Sequence, residues 1–167
     1  MQPTETVETP AAVAPRTMGF TEIKTWLRHR HPMLYLDRVL DYAPNERIVA
    51  SLAVSAQMDA IAGHFPERAI FPASHLSQAF AQAGIILFQL STSKLRDDEL
   101  TLVGAMNSRF LKIVVPGDRV EIAVTADRLV DDTFFFSGRA TVEGTTVAAF
   151  RANLVRRNVE DMGQQWW

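Results

Sequence analysis

A long apolar run sets the terms for this chain. Residues 63–90, GHFPERAIFPASHLSQAFAQAGIILFQL, open with a histidine between a glycine and a Phe-Pro pair, in a stretch too punctuated for regular structure. Behind Pro72, the residues Leu76, Ala79, Phe80, Ala83, Ile86, Leu87 and Leu90 follow the three-then-four step of one helix face. Ala81, Ile85 and Phe88 fill most of the opposite face, with Ser77, Gln78, Gln82 and Gln89 as its polar exceptions. A helix apolar on nearly all sides is a buried helix. The run is too short and too often interrupted for a membrane span, so it reads as the central helix of a soluble domain.

The rest of the chain must cover that helix. Residues 21–27 predict a short helix with Thr21 as its cap, and His31-Pro32 should end it, because a residue before proline is driven toward extended conformations. Residues 36–42 and 47–54 predict a hairpin around an Ala-Pro-Asn-Glu turn, and 57–62 an irregular lead into the histidine loop. After a polar connection at 91–99 come strands at 100–110, 119–129, 133–142 and 146–155, with turns at Pro116-Gly117-Asp118 and Glu143-Gly144. Val120, Ile122 and Val124 alternate with charged or small residues, the pattern of a sheet with one covered face.

The order predicts an α+β domain, an antiparallel sheet of about six strands around one long helix. One sheet layer cannot fully cover such a helix, so a second copy is expected, and twofold dimers are the commonest solution. We assign residues 1–18, rich in Pro, Thr and Ala, to a mobile tail, 19–157 to a single domain and 158–167 to a C-terminal tail; the closing Trp166-Trp167 has no assigned role.

Several function classes drop out. A net charge of −2 gives no reason to expect nucleic acid or an anionic membrane as partner. With no cysteine, disulfides, thiolate metal sites and cysteine nucleophiles are excluded, and the composition fits a reducing cytoplasm, the expected location. The start of the chain lacks the basic and apolar run of a secretory signal. His29 and His31 look like a metal pair only superficially: Pro32 follows directly and no carboxylate is suitably spaced, so no metal site is expected. No Gly-rich phosphate loop appears and no cofactor is implied.

Three blocks carry a resemblance: LRHRHPMLYLDRV (27–39), GHFPERAIFPASHLSQAFAQAG (63–84) and RFLKIVVPGDRV (109–120). In order and spacing they resemble the hotdog-fold 3-hydroxyacyl-acyl-carrier-protein dehydratases of fatty-acid synthesis. The resemblance implies a dimeric hotdog fold and removal of water from 3-hydroxyacyl thioesters. It makes His64 the base that takes the proton beside the thioester carbonyl. The amide near Ala73, where the family usually has glycine, would hold the developing enolate oxygen. Gly63, Phe65, Pro72, Ala73 and His75 are the expected substrate-binding residues, although His75 has no family counterpart. By residue type alone, His64 is equally a histidine that holds its loop by hydrogen bonds.

The family's helix carboxylate is missing. Fourteen residues after His64 stands Gln78, and no Asp or Glu occurs between Arg68 and Arg96. An amide positions water or a hydroxyl but cannot donate a proton as a carboxylic acid does. Gln78 is therefore either a substrate contact or a polar residue satisfied within a core helix. His75 is either a substitute acid or a structural residue. Ala60 and Ile61 replace common aromatics, which reshapes the acyl pocket.

In the family the two site residues come from different subunits, so a homodimer has no helix carboxylate. A heterodimer with a complete paralogue, of the kind found in polyene-type pathways, would gain one. The readings that remain are a dehydratase, alone or paired; a non-catalytic module that binds acyl chains or carrier protein; and a thioesterase. The last is weakened by the same missing carboxylate. Arg28, Arg30, Arg109 and Lys112 are candidate contacts for an acidic carrier protein, or simply a solvated face.

Overall fold

The computed structural model describes residues 15–163. Helix α1 (Phe20–Trp26) is followed by strands β1 (Arg38–Ala43) and β2 (Arg47–Ala53), short helix α2 (Asp59–Gly63) and long helix α3 (Ala73–Ser91). Strands β3 (Glu99–Phe110), β4 (Arg119–Val130), β5 (Thr133–Val142) and β6 (Thr145–Asn158) complete one six-stranded antiparallel sheet in the order β1-β2-β4-β5-β6-β3. A 3-10 turn, Glu160–Met162, ends the described chain. The expected α+β fold, a sheet around one central helix, is the fold observed.

Helix α3 is buried on nearly all sides, as its composition requires: from Ala79 to Gln89 every residue is buried. The sheet meets it with aromatic rings. Phe80 stacks on Phe136 and Phe150 at 5.1 and 4.5 Å between centroids, and Phe88 on Phe134 at 5.1 Å. Gly84 lets helix and sheet approach this closely, since a Cβ there would lie 2.5 Å from the Phe136 ring. The Glu143-Gly144 hairpin forms as predicted, with φ of 48° and 75°, left-handed values that glycine accepts without strain.

Several boundaries differ from expectation. Helix α1 starts at Phe20 with Gly19, not Thr21, at the cap position and no side-chain capping bond, and β1 starts at Arg38 rather than at residue 36. Met18, given to the tail, is buried and exchanges backbone hydrogen bonds with Val39, so the folded part begins before residue 19. Residues 1–14 and Trp166-Trp167 lie outside the described residues. Strand β6 runs through Asn158, because its last residues pair with the start of β3. The segment 57–62, expected to be irregular, contains the start of α2. Glu99, placed in an exposed connection, is buried and opens β3, with a carboxylate oxygen accepting the Arg96 amide at 2.9 Å.

Strand β3 is an edge of the sheet and, at 12 residues, a long one. Leu102 and Val103 on it, and Phe110, Leu111 and Ile113 at its end, are all exposed. An unpaired edge carrying apolar side chains is a template for another strand.

Candidate active site

The histidine loop is fixed by its own backbone. The His64 amide donates to Ile61 at the end of α2, and the Ile70 amide donates back to the His64 carbonyl at 3.0 Å. Between them Phe65 and Arg68 exchange two further bonds. The imidazole is held as firmly: its Nδ1 lies 3.0 Å from the Ile70 carbonyl oxygen, and its ring stacks on Phe65. A carbonyl can only accept, so Nδ1 carries a proton, and in the neutral ring Nε2 keeps its lone pair. Nδ1 thus holds the loop, while Nε2 has no hydrogen-bond partner among the described residues.

Pro72 occupies the cap position of α3, and its carbonyl accepts from His75 and Leu76. The amides of Ala73 and Ser74 have no acceptor among the described residues, as expected of the first helical N–H groups. Free amides at the positive end of a 19-residue helix dipole favour an anionic oxygen.

The three glutamines of α3 prove to be different things. Buried Gln82 accepts from the Tyr35 amide at 3.0 Å and donates to the Met33 carbonyl at 2.6 Å. Gln89 donates to the Trp26 carbonyl and accepts from the Leu95 amide. Both brace neighbouring segments against α3. Gln78 is half-buried, and its side-chain amide has no hydrogen bond among the described residues. It is not a polar residue satisfied in the core.

His75 is also half-buried, one step before Gln78 on the same helix face. Its ring packs edge-on against Tyr35 and Phe71, at 5.1 and 6.0 Å, and its Nδ1 lies 3.2 Å from the Ser74 hydroxyl. Burial, and then the neighbouring His64, push its pKa below the ordinary histidine value. It lines a cavity of about 180 Å³ with Tyr35, Met33, Met58, Asp59 and Ala60. Asp59 stands at the start of α2, the short helix before His64, outside the α3 pattern on which the family's carboxylate is expected. Its side chain is 79% exposed and lies 3.9 Å from His31 Nε2.

His29 has a buried Nδ1 without a hydrogen-bond partner among the described residues, and burial, then Arg30, lower its pKa. Among the described residues no group of three His, Asp or Glu side chains converges as a metal site would need. Of the arginines considered for carrier protein, Arg28 donates to the Arg96 carbonyl and Arg30 to the carbonyls of Leu27, His29 and Lys24. These two brace the backbone. Arg109 and Lys112 are exposed and make no side-chain hydrogen bond or ion pair among the described residues. No described helix is long and apolar enough to cross a membrane.

The sequence profile of the FabA-like domain matches residues 27–151, from the end of α1 into β6. This chain belongs to the FabA-like dehydratase family. Other family members agree. Coronafacic acid dehydratase of Pseudomonas savastanoi pv. glycinea is 60% identical over 154 residues, covering 92% of this chain and 93% of that protein. The 3-hydroxyacyl-[acyl-carrier-protein] dehydratase FabZ of Rickettsia massiliae (strain Mtu5) is 37% identical over 131 residues, covering 78% and 90%. Among solved structures, the dehydratase heterocomplex ApeI:P from Xenorhabdus doucetiae superposes with a TM-score of 0.68 at 16% identity, over 85% of this chain and 97% of that one. That likeness is one of fold. The chain is thus a dehydratase-like hotdog protein of the lipid and polyketide kind, with Gln78 where a helix carboxylate was expected.

Proposed function

We propose that this chain dehydrates 3-hydroxyacyl thioesters of an acyl-carrier protein, with His64 as its base. The observation that carries the reading is the His64–Ile70 hydrogen bond, which commits Nδ1 to the loop and leaves Nε2 open to a substrate. Nε2 takes the proton from C2, and the amides of Ala73 and Ser74 hold the enolate oxygen. The electrons then form the C2–C3 double bond as the C3–O bond breaks. The imidazolium just formed on His64 is the acid at hand, and it returns its proton to the departing oxygen, which leaves as water. Gln78 contacts the substrate without exchanging a proton. No cofactor takes part in these steps.

The open β3 edge, with Leu102 and Val103 exposed, supports a dimer formed by strand addition. Its second subunit is another copy or a paralogue that brings the missing carboxylate. Exposed Arg109 and Lys112 are suited to an acidic carrier protein. Gln78 favours one second reading, a binding module that holds acyl thioesters without converting them.

The test is conversion of 3-hydroxyacyl-carrier-protein by the purified chain, alone and mixed with paralogous dehydratases, followed by mass spectrometry. Enoyl product from the chain alone is the expected result, rising if a paralogue completes the site. No product in any mixture, beside a working dehydratase control, leaves the binding module as the reading that stands.

A further inference from the structure

The face of the sheet turned away from α3 carries arginines that nothing in the chain neutralises. Along β6, Ala148, Phe150 and Ala152 are buried, so Ala149 and Arg151 point outward; along β5, Phe136 and Ala140 turn inward and Ser137 and Arg139 outward. Pairing sets Arg109 of β3 and Arg139 of β5 on either side of Ala149, and Arg151 between Asn107 and Ser137 in the neighbouring row. These residues line one open groove of about 650 Å³. We propose that this groove binds an acidic amphipathic helix of a partner protein.

The layout of the three guanidiniums favours that occupant. Arg109 and Arg139 stand two strand spacings apart, about 10 Å, and Arg151 lies two residues along β6, about 7 Å to one side. An α-helix rises about 10.5 Å over seven residues, so carboxylates at i and i+7 reach the first pair and one at i+3 or i+4 reaches the third. A single phosphate would have to draw together arginines rooted on three separate strands. Ala149 and Ala123 keep the floor of the groove low, and Asn107 and Ser137 add neutral hydrogen-bonding groups to it.

The surrounding charges leave the site open. All three arginines are exposed, and none has a side-chain hydrogen bond or ion pair among the described residues. Asp127, which borders the groove, accepts from the Ser137 hydroxyl at 2.8 Å instead of pairing with an arginine. Glu121, also outward on β4, lines a separate depression with Arg119. The chain as a whole carries a net charge of −2, so the cluster is a local patch and not part of a broad basic field suited to nucleic acid. Strand addition at β3 extends the sheet in its own plane and leaves this face uncovered. The groove shares only Arg109 with the carrier-protein contact proposed above and no residue with the His64 loop, so it stands or falls apart from the dehydratase reading.

The test is an NMR titration of the isotope-labelled full chain with a synthetic helical peptide bearing glutamates at i, i+3 and i+7, and with its glutamine counterpart. Amide shifts should centre on Asn107, Ser137 and Ala149, and the acidic peptide should bind about tenfold more tightly, the combined worth of three exposed ion pairs. Salt at about 1 M, which screens charges beyond about 3 Å, should remove that preference. Arg151→Glu should abolish it and Arg139→Gln should lose part of it, whereas Arg38→Glu, at an exposed position on β1, should leave it intact. Shifts centred elsewhere, equal binding of the two peptides, or a preference that survives Arg151→Glu would overturn the proposal. So would inorganic tripolyphosphate that occupies the groove more tightly than the acidic peptide, which would make it a phosphate site.

Discussion

His64→Ala should lower enoyl-thioester formation by about two to four orders of magnitude, the usual worth of a positioned base. Loss of Nε2 removes the group proposed to accept the C2 proton. The same substitution deletes the Nδ1 bond to the Ile70 carbonyl, so a stability loss of about 1 kcal/mol accompanies it. The two effects separate cleanly. A thermal melt reads the loop bond, and turnover at saturating substrate reads the base, while the amides of Ala73 and Ser74 remain to bind the thioester. A variant that melts a few degrees lower yet turns over at the wild-type rate would show that His64 serves the loop alone.

Gln78→Glu should raise the dehydration rate by about two orders of magnitude or more, because it returns a proton donor to α3 at almost no change in volume. The wild-type Gln78 amide has no hydrogen bond to lose among the described residues, and its half-buried position favours the protonated form of an introduced carboxyl. The gain should appear in kcat rather than KM, since the new group acts as the C3–O bond breaks. A folded variant with no gain would mean that this site differs from a complete dehydratase by more than one acid, and the binding-module reading would then account for it better.

What the sequence could and could not reveal follows from these residues. Helix α3 was legible because burial on all sides leaves a compositional mark, and the sheet because its strands alternate between turns that only a few residue types accept. Helix α2 was not: five residues are too few for a helical period to show. Glu99 and Met18 looked exposed because their partners, Arg96 and Val39, give no local signal of burial. His64 was found through its loop motif, yet the tautomer that leaves Nε2 free is a property of the distance to Ile70. Gln78, Gln82 and Gln89 are one residue type on one helix, and only the carbonyls and amides of residues 26–35 and 95 tell the two braces from the one free amide.

The central claim is a base in the loop before a helix that brings no acid of its own, and hydrogen exchange at C2 tests it most directly. A 3-hydroxyacyl thioester is incubated with the chain in deuterium oxide, and recovered substrate is analysed by mass spectrometry. The account predicts that deuterium enters unreacted substrate at C2 faster than water is lost, because proton removal outpaces the poorly assisted departure of the hydroxyl, and that His64→Ala abolishes the label. Substrate recovered with its C2 hydrogens intact from the wild-type chain would contradict it.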